Sequence, residues 1–456
     1  MTAAVATEAR SASELPEAPQ AGAYSWYVVA ILLLAYIVSF VDRQSLTLMV
    51  EPLKRDLGLS DTQVSLLHGM AFALFYTFLG LPIGRLVDAF DRRRIVIVGV
   101  ALWSVMTAGC GLARNFGSMF LFRMGVGVGE AALSPAAYSM IADYFPRHSR
   151  GRALAVYTLG IPIGIGVALM VGGAIVGYFN TTGGASIALL GHLRGWQVAF
   201  LIIGLPGLLV ALLMCTVREP PRRECLGPLG AAGAVPLRQV VRFVAERRQA
   251  LGSMFLGFSL VILVNYAVLA WVPTLFIRIH GWNIARIGFW FGLINAVFGT
   301  LGGYAGGWLA DLAAARGHRD APVRVVLFGS LCALPFAVLA PLVSSAPLSL
   351  LLFAVATFFL FIQGGVAPGA VQSIVPNQMR GQLSALQLFV QNLVGLGLGA
   401  TSVALLTDYV FADSRKLGYS MAIVILVVLP LSALSLWYCL GRYRICAERA
   451  REWAGR

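Results

Sequence analysis

Gly84-Arg85-Leu86-Val87-Asp88 follows the second of a series of long apolar segments, and Gly307-Trp308-Leu309-Ala310-Asp311 follows the eighth. Both stretches fit the pattern G-x-L-[VA]-D, and they lie six segments apart. The same helix end therefore occurs twice in the chain. This repeat predicts two related halves, in which each half contains six of the apolar segments.

The composition assigns the chain to a broad class. Hydrophobic residues make up 59% of the 456 positions and charged residues only 12%, and the mean hydropathy is +0.81. A soluble globular protein carries about 25% charged residues. Apolar segments of about 20 residues, the length that crosses a bilayer as a helix, recur along the whole chain. The sequence therefore predicts a multi-pass membrane protein and excludes one large soluble core.

Twelve such segments predict an all-α integral membrane fold, with two parallel bundles of six transmembrane helices around a central cavity. We expect the first bundle over residues 24–216, a linker loop over 217–250 and the second bundle over 251–441. Residues 1–23 are rich in Ala, Pro and Glu and lack the features of a signal peptide, so we expect a disordered tail. Residues 442–456 form a second expected tail.

The net charge of +14 is unevenly distributed. With the N-terminus placed inside, Lys and Arg concentrate on the loops of that side, at residues 92–94, 147–152, 218–248 and from 442 onward. The positive-inside rule then puts both termini in the cytoplasm. Anionic lipid headgroups are sufficient partners for this charge, so we expect no nucleic-acid binding. The Arg-, Ala-, Leu- and Gly-rich composition suggests a GC-rich bacterium, and hence its inner membrane as the plasma membrane that holds the protein.

Four charged residues interrupt the apolar segments: Asp42 and Arg43 in the first, and Arg123 and Glu130 in the fourth. A charge at bilayer depth costs about 2.5–3.5 kcal/mol on insertion scales and is a functional-site hypothesis by default. The rise of a helix puts Asp42 and Arg123 at similar depth, so these two can pair if their helices face each other. The alternative is a static ion-pair cluster that fixes helix register.

These charges predict a proton-coupled binding site. Burial and a neighbouring guanidinium act in opposite directions on the protonation of a carboxylate, so we expect Asp42 and Glu130 to bind the coupling proton. Arg43 is then the binding charge for an anionic substrate, shared with Arg123. The second half offers neutral candidates for the cavity wall, namely Asn265, Tyr266, Trp271, Gln363 and Asn392. The cysteine spacing supports neither a disulfide framework nor a metal site, and we expect no cofactor besides the proton.

The stretch from Gly84 to Arg94 resembles the conserved loop motif of the major facilitator superfamily, G-x-L-a-D-r-x-G-r-+. It departs from that motif at Ala89, where a basic residue is usual, and at Asp91, where Gly is usual. The stretch from Arg123 to Glu130 resembles the R-x-x-x-G-x-G motif of the family's fourth helix. In the family the loop latches the cytoplasmic ends of the two halves. The resemblance implies a cytoplasmic gate of Gly84, Asp88, Arg92, Arg93, Arg150, Arg152 and Asp311.

The run from Val41 to Leu46, followed by Glu51 to Gln63, resembles the first-helix signature of the spinster-like transporters. That resemblance implies alternating access and a lysophospholipid or sphingoid phosphate as substrate. The organic anion symporters of the same superfamily share the charge pairs, so a small carboxylate stays open. We expect the carrier to be a monomer that contacts substrate and membrane lipids.

Two further classes remain as alternatives, a membrane enzyme and a non-transporting receptor or scaffold. The chain has no G-x-S-x-G and no H-E-x-x-H motif, which argues against an enzyme. Its soluble segments are too short for a folded signalling domain, which argues against a receptor.

Overall fold

The computed structural model describes residues 22–187, 191–221, 237–376 and 379–454. Within these ranges the chain is helical apart from its connections and one two-stranded hairpin. The expected tail over residues 1–23 lies outside the described residues up to position 21, and so does the middle of the expected linker, residues 222–236.

The first half consists of ten described helices and the hairpin. They are α1 (Ala23–Gln44), α2 (Val50–Leu57), α3 (Asp61–His68), α4 (Met70–Ala89), α5 (Arg92–Cys110), α6 (Phe116–Glu130), α7 (Leu133–Tyr144), α8 (Arg147–Thr158), α9 (Gly160–Thr181), β1 (Ala185–Ile187), β2 (Gly191–Leu193) and α10 (Gly195–Met214). A short helix, α11 (Leu237–Glu246), lies in the expected linker, and its Val240 and Phe243 are buried.

The second half follows the same scheme. Its helices are α12 (Arg248–Arg278), α13 (Ile284–Ile294), α14 (Thr300–Ala315), α15 (Ala321–Leu339), α16 (Ala346–Phe361), α17 (Ala367–Gln372), α18 (Arg380–Val390), α19 (Gly397–Leu405) and α20 (Leu417–Ala454). Wide π-helical turns join α13 to α14 at Asn295–Gly299 and α18 to α19 at Gln391–Leu396. Residues 442–454 of the expected tail continue α20, and the Tyr443 hydroxyl donates to the Ala370 carbonyl at 2.7 Å.

Within the described ranges, eleven helical stretches are long and apolar enough to cross a membrane. The fourth expected segment is not among them, because its helix is interrupted between α6 and α7 at Ala131 and Ala132. Pro135 has no N–H to donate to the Ala131 carbonyl, which explains the interruption. With α6 and α7 counted as one span, the predicted fold of twelve transmembrane helices is confirmed.

We call the side of the membrane that carries residues 92–94 and 442–454 the basic side, and the opposite side, with the hairpin, the far side. On the far side, small residues of α9 and of the eighth span pack backbone against backbone. A Cβ added to Gly166 would lie 2.7 Å from the Cβ of Ala296, and one added to Gly177 would lie 3.1 Å from the Cβ of Ala285. Such small-residue seams let helices approach closely in membranes.

The basic side is more open around α4. A Cβ added to Gly80 or Gly84 would have no described heavy atom within 4 Å. Leu86 and Phe90, further along α4 and just beyond it, are 47% and 62% exposed. The two halves are therefore in close contact on the far side, whereas the end of α4 on the basic side is exposed.

Candidate functional site

Arg43 and Glu130 form a buried ion pair between the first and fourth spans. Nε and Nη2 of Arg43 donate to Oε2 of Glu130, at 3.2 and 2.5 Å. The hydroxyl of Ser39, one turn before Arg43, donates to the same oxygen at 3.3 Å. The side chains of Arg43 and Glu130 are 7% and 1% exposed. The chain thus buries a charge pair at membrane depth, where isolated charges are costly.

Aromatic rings surround the guanidinium of Arg43. Its Cζ lies 4.8 Å from the ring centre of Phe40, 4.3 Å from that of Phe72 and 5.4 Å from that of Tyr76. A guanidinium within about 6 Å of a ring face is attracted to it, more strongly when water is excluded. Tyr266 of the seventh span packs against the buried cluster that contains Phe72, which places this second-half candidate near the pair.

Arg123 does not pair with the Asp42 carboxylate. It donates from Nη1 to the backbone carbonyl of Asp42 and from Nη2 to that of Arg43, each at 3.2 Å, and from Nε to the carbonyl of Leu67 at 3.4 Å. Asp42 and Arg43 lie in the last turn of α1, where carbonyls lack partners within the helix. The arginine is therefore used to complete the end of α1, and the pairing of Asp42 with Arg123 that we expected from helix rise is wrong.

Asp42 itself is 0% exposed, and neither carboxylate oxygen has a hydrogen-bond partner among the described residues. The indole N–H of Trp103 in α5 approaches this carboxylate without the geometry of a hydrogen bond. Asp42 thus faces the third span, whereas its neighbour Arg43 faces Glu130. An ionised carboxylate in this position would be unsolvated, which is costly.

A cluster of tyrosines lies on the basic side of the ion pair. The rings of Tyr36 and Tyr157 stack at 4.6 Å, and Tyr138 meets Tyr157 edge to face at 5.5 Å. Tyr36 also meets Phe40 edge to face at 5.3 Å, and Tyr76 stacks on Phe72 at 5.2 Å, so the cluster adjoins the rings around Arg43. Tyr138 is 40% exposed, so the cluster reaches the more open side of the molecule. The sequence reading did not assign these tyrosines to the site.

The neutral candidates of the second half have different surroundings. Trp271 is buried and donates from Nε1 to the carbonyl of Ala400 at 2.8 Å, and Gln363 donates from Nε2 to that of Phe258 at 3.1 Å. Asn265 lines a small cavity between the seventh, eighth and tenth spans. Asn392 lies in the π-helical turn of the eleventh span. Of these candidates, the contacts place Tyr266 near the ion pair and give Trp271 and Gln363 packing partners.

The predicted basic-side gate residues have contacts within the first half. Arg92 is 1% exposed and binds Asp143 and Glu219, at 2.5 and 2.7 Å. Arg93 donates to the Val217 carbonyl at 3.1 Å, and Arg150 to that of Ala142 at 2.7 Å. Gly84 is half-buried, and Arg152 and Asp311 are exposed. The side chain of Asp88 lies outside the part of the chain that the structure describes.

Sequence reasoning missed a set of contacts on the far side. Arg278, at the end of α12, binds Asp61 and Glu51 of the first half, at 2.7 and 2.6 Å. Asp408 accepts from the N–H and the hydroxyl of Thr62, each at 2.7 Å. Ser60-Asp61-Thr62-Gln63 is a capping box that marks a helix start in the sequence. It gives no indication of which residue across the interface binds there.

Comparison with known proteins decides the family. The family model of the Major Facilitator Superfamily matches residues 32–400. The chain belongs to the major facilitator superfamily. Among solved structures, a bacterial homologue of the human lysosomal transporter spinster, inward-facing and unoccupied, has a TM-score of 0.75 and 27% identity over 94% of this chain and 98% of its own.

Two further relatives have other described functions. An MFS-type efflux pump of Mycolicibacterium smegmatis is 28% identical over 92% of this chain and 94% of its own length. A probable L-galactonate transporter of Escherichia coli is 26% identical over 79% of this chain and 78% of its own. The chain is therefore a multi-pass membrane transporter that resembles the spinster family. The expectation of a transporter rather than an enzyme is confirmed by this membership.

Proposed function

We propose that the protein is a proton-coupled carrier that moves an amphipathic anion, such as a lysophospholipid or a sphingoid phosphate, by alternating access. The observation that carries the proposal is the buried pair of Arg43 and Glu130. A cation held in a membrane protein by one carboxylate is available to a second anion once that carboxylate is neutralised. Proton uptake by Glu130 and anion binding by Arg43 are thereby linked.

The cycle follows from this link. A proton on Glu130 removes the charge that holds Arg43, and the phosphate or carboxylate of the substrate takes its place. A guanidinium suits this task because its planar donors bind such anions in pairs. Asp42 is the second proton site, since its carboxylate is buried without a partner among the described residues. Arg123 stays bound to the end of α1 and supports the site without contacting substrate.

The proposed setting is the plasma membrane, which is the inner membrane in a bacterium, with the basic side in the cytoplasm. The carrier acts as a monomer, without a cofactor other than protons. Asp88 and its neighbours hold the cytoplasmic ends together when the far side is open. Spinster resemblance and the aromatic surroundings of Arg43 support an amphipathic substrate.

A second candidate substrate is a polyhydroxylated carboxylate. The tyrosine cluster beside the rings around Arg43 favours it, because several hydroxyls near a binding cation match a sugar acid better than an acyl chain. The relative described as an L-galactonate transporter supports the same candidate.

Flux measurements in proteoliposomes test the proposal. Uptake of a radiolabelled lysophospholipid, of a sphingoid phosphate and of a hexonate is compared with and without an imposed pH gradient. We expect the gradient to drive uptake of a lipid anion, and protein-free liposomes and Arg43→Ala to show none. Uptake of the hexonate alone would select the second candidate. Uptake that ignores the pH gradient would make the ion pair a static helix contact, and no uptake of any anion would favour a receptor or scaffold.

A further inference from the structure

The first turn of α3 carries two adjacent residues, Asp61 and Thr62, that both bind side chains from the second half. Nη1 and Nη2 of Arg278 donate to the two carboxylate oxygens of Asp61, at 2.8 and 2.7 Å. Asp408 accepts two hydrogen bonds from Thr62, at 2.7 Å each. A cation and an anion of one half therefore meet the same helical turn of the other half, on the far side.

The contact with Asp408 satisfies a backbone N–H group at the N-terminus of α3. Backbone N–H groups in the first turn of a helix have no partner within the helix. Ser60 and Gln63 satisfy each other's N–H groups, with distances of 3.1 and 3.0 Å. The N–H of Thr62 is left over, and its acceptor is the carboxylate of Asp408 from the eleventh span. The cap of α3 is thus supplied partly by the opposite half.

Asp61 is arranged so that it keeps one partner when the halves separate. Its side chain is 0% exposed, and it accepts from Nζ of Lys54 at 2.6 Å as well as from Arg278. Lys54 belongs to the same half as Asp61 and moves with it. The side chain of Arg278 is 8% exposed; on separation it would lose its contacts with the carboxylates of Asp61 and Glu51 and become hydrated. Separation therefore costs a charge-assisted, bidentate contact without leaving a buried carboxylate unpaired.

We propose that Asp61, Thr62, Arg278 and Asp408 form a far-side latch, which holds the far side of the carrier closed and must break before the Arg43 site opens there. Two further contacts join the halves on this side. Ser65, one turn further along α3, donates to the Thr401 hydroxyl at 3.4 Å. The small-residue seam of α9 with the eighth span closes the same side. The latch therefore lies at the outer end of a continuous contact between the halves.

Distances between spin labels on the two halves test the latch without any substrate. Labels at Ser186→Cys in the hairpin and at Arg415→Cys before α20 report the far-side separation, because both positions are exposed and lie outside the latch. The six native cysteines are replaced first. Asp61→Asn and Arg278→Gln each remove one partner of a buried charge pair, and Asp408→Asn removes the carboxylate that accepts from Thr62. In all three variants, we expect a longer distance to gain population by on the order of tenfold.

Arg194→Gln is the matched control. Arg194 forms an ion pair on the same side, with Asp56 at 3.0 Å, but both residues belong to the first half. The distances should not change in this variant. Unchanged distances in the three latch variants would overturn the proposal, and so would an equal shift in the control.

A second readout covers variants that fold poorly. Ala270 lies in the seventh span beside Trp271 and is 4% exposed. In the variant Ala270→Cys, the rate of reaction with a soluble maleimide in detergent reports opening of the far side. We expect a rate increase of about tenfold in Arg278→Gln for protein that elutes as a single folded species. No increase contradicts the latch. Neither measurement depends on proton coupling or on the substrate, so failure of the proposed function leaves both results interpretable.

Discussion

Arg43 donates two hydrogen bonds to one oxygen of Glu130, Oε2, and the other oxygen, Oε1, has no hydrogen-bond partner among the described residues. A proton can therefore bind Oε1 while Oε2 stays beside the guanidinium. Such a proton would cancel the charge that holds Arg43 in place. Under the proposed function, proton uptake would weaken both hydrogen bonds of Arg43 to Glu130 and leave the shape of the site unchanged.

Glu130→Gln should separate proton coupling from anion binding. The amide keeps the size of the side chain and mimics its protonated state. A charge-assisted hydrogen bond is worth about 1.5–3 kcal/mol, so losing it should raise the affinity of Arg43 for an anion by about tenfold or more. We expect anion binding with little pH dependence and loss of proton-driven uptake, measured by equilibrium binding across pH and by flux.

Glu219→Gln is the control for that variant, because Glu219 also pairs with an arginine, Arg92, but in a partly buried contact at the basic-side surface. It should keep the wild-type pH profile. If Glu130→Gln transported with an unaltered profile, Glu130 would be a structural partner of Arg43, and Asp42 would be left as the proton site.

Arg43→Ala should abolish anion binding at every pH, because it removes the cation from the site. Arg43→Lys should restore binding in part, since an ammonium group lacks the planar pair of donors. The ammonium group also lacks the planar surface that the guanidinium presents to the rings of Phe40, Phe72 and Tyr76. Binding of a radiolabelled substrate to purified protein measures both effects, and full binding by Arg43→Ala would move the anion site elsewhere.

Arg123→Met should reduce stability much more than Asp42→Asn. The first removes the hydrogen bonds of Arg123 to the carbonyls of Asp42, Arg43 and Leu67, and we expect a loss of about 1–3 kcal/mol. The second replaces a carboxyl group that has no hydrogen-bond partner among the described residues, so the change should be small. Thermal unfolding in detergent compares them, and a large loss in Asp42→Asn would indicate a partner for its carboxylate.

The sequence was sufficient to predict the spans and to identify the four charged residues inside them, because both depend on local properties. Apolar length determines a span, and a charge inside a span is conspicuous wherever its partner lies. The choice of partner could not be predicted: Asp42 and Arg43 are neighbours on α1 and point to different spans, and Arg123 binds carbonyls that no sequence pattern marks. The contacts of Arg278 and Asp408 with α3 were missed for the same reason, since they depend on how the two halves meet.

The basic side offers a test of stability against pH. Asp320 precedes α15 and is 0% exposed; it accepts hydrogen bonds from Arg444 of α20 at 2.9 Å and from Arg324 at 3.2 Å. Burial alone would raise the pKa of Asp320, but the hydrogen bonds from these two arginines outweigh it and lower the pKa. The ionised form therefore stabilises the folded state. This contribution is fully present above the pKa of the unfolded chain, about 3.9, and is lost as the pH falls through the lower folded value.

Asp320→Asn should accordingly destabilise the protein by about 1–3 kcal/mol at neutral pH, because it removes a charge-assisted contact between the ninth and twelfth spans. The difference from wild type should narrow as the pH falls below about 4, where the wild-type carboxyl group also becomes protonated. Thermal unfolding in detergent at a series of pH values measures this difference. Asp311→Asn, an exposed carboxylate on the same side, is the matched control and should have little effect at any pH. A destabilisation by Asp320→Asn that stayed constant down to acid pH would show that the amide disturbs packing, and that the charge of Asp320 does not hold α20 to α15.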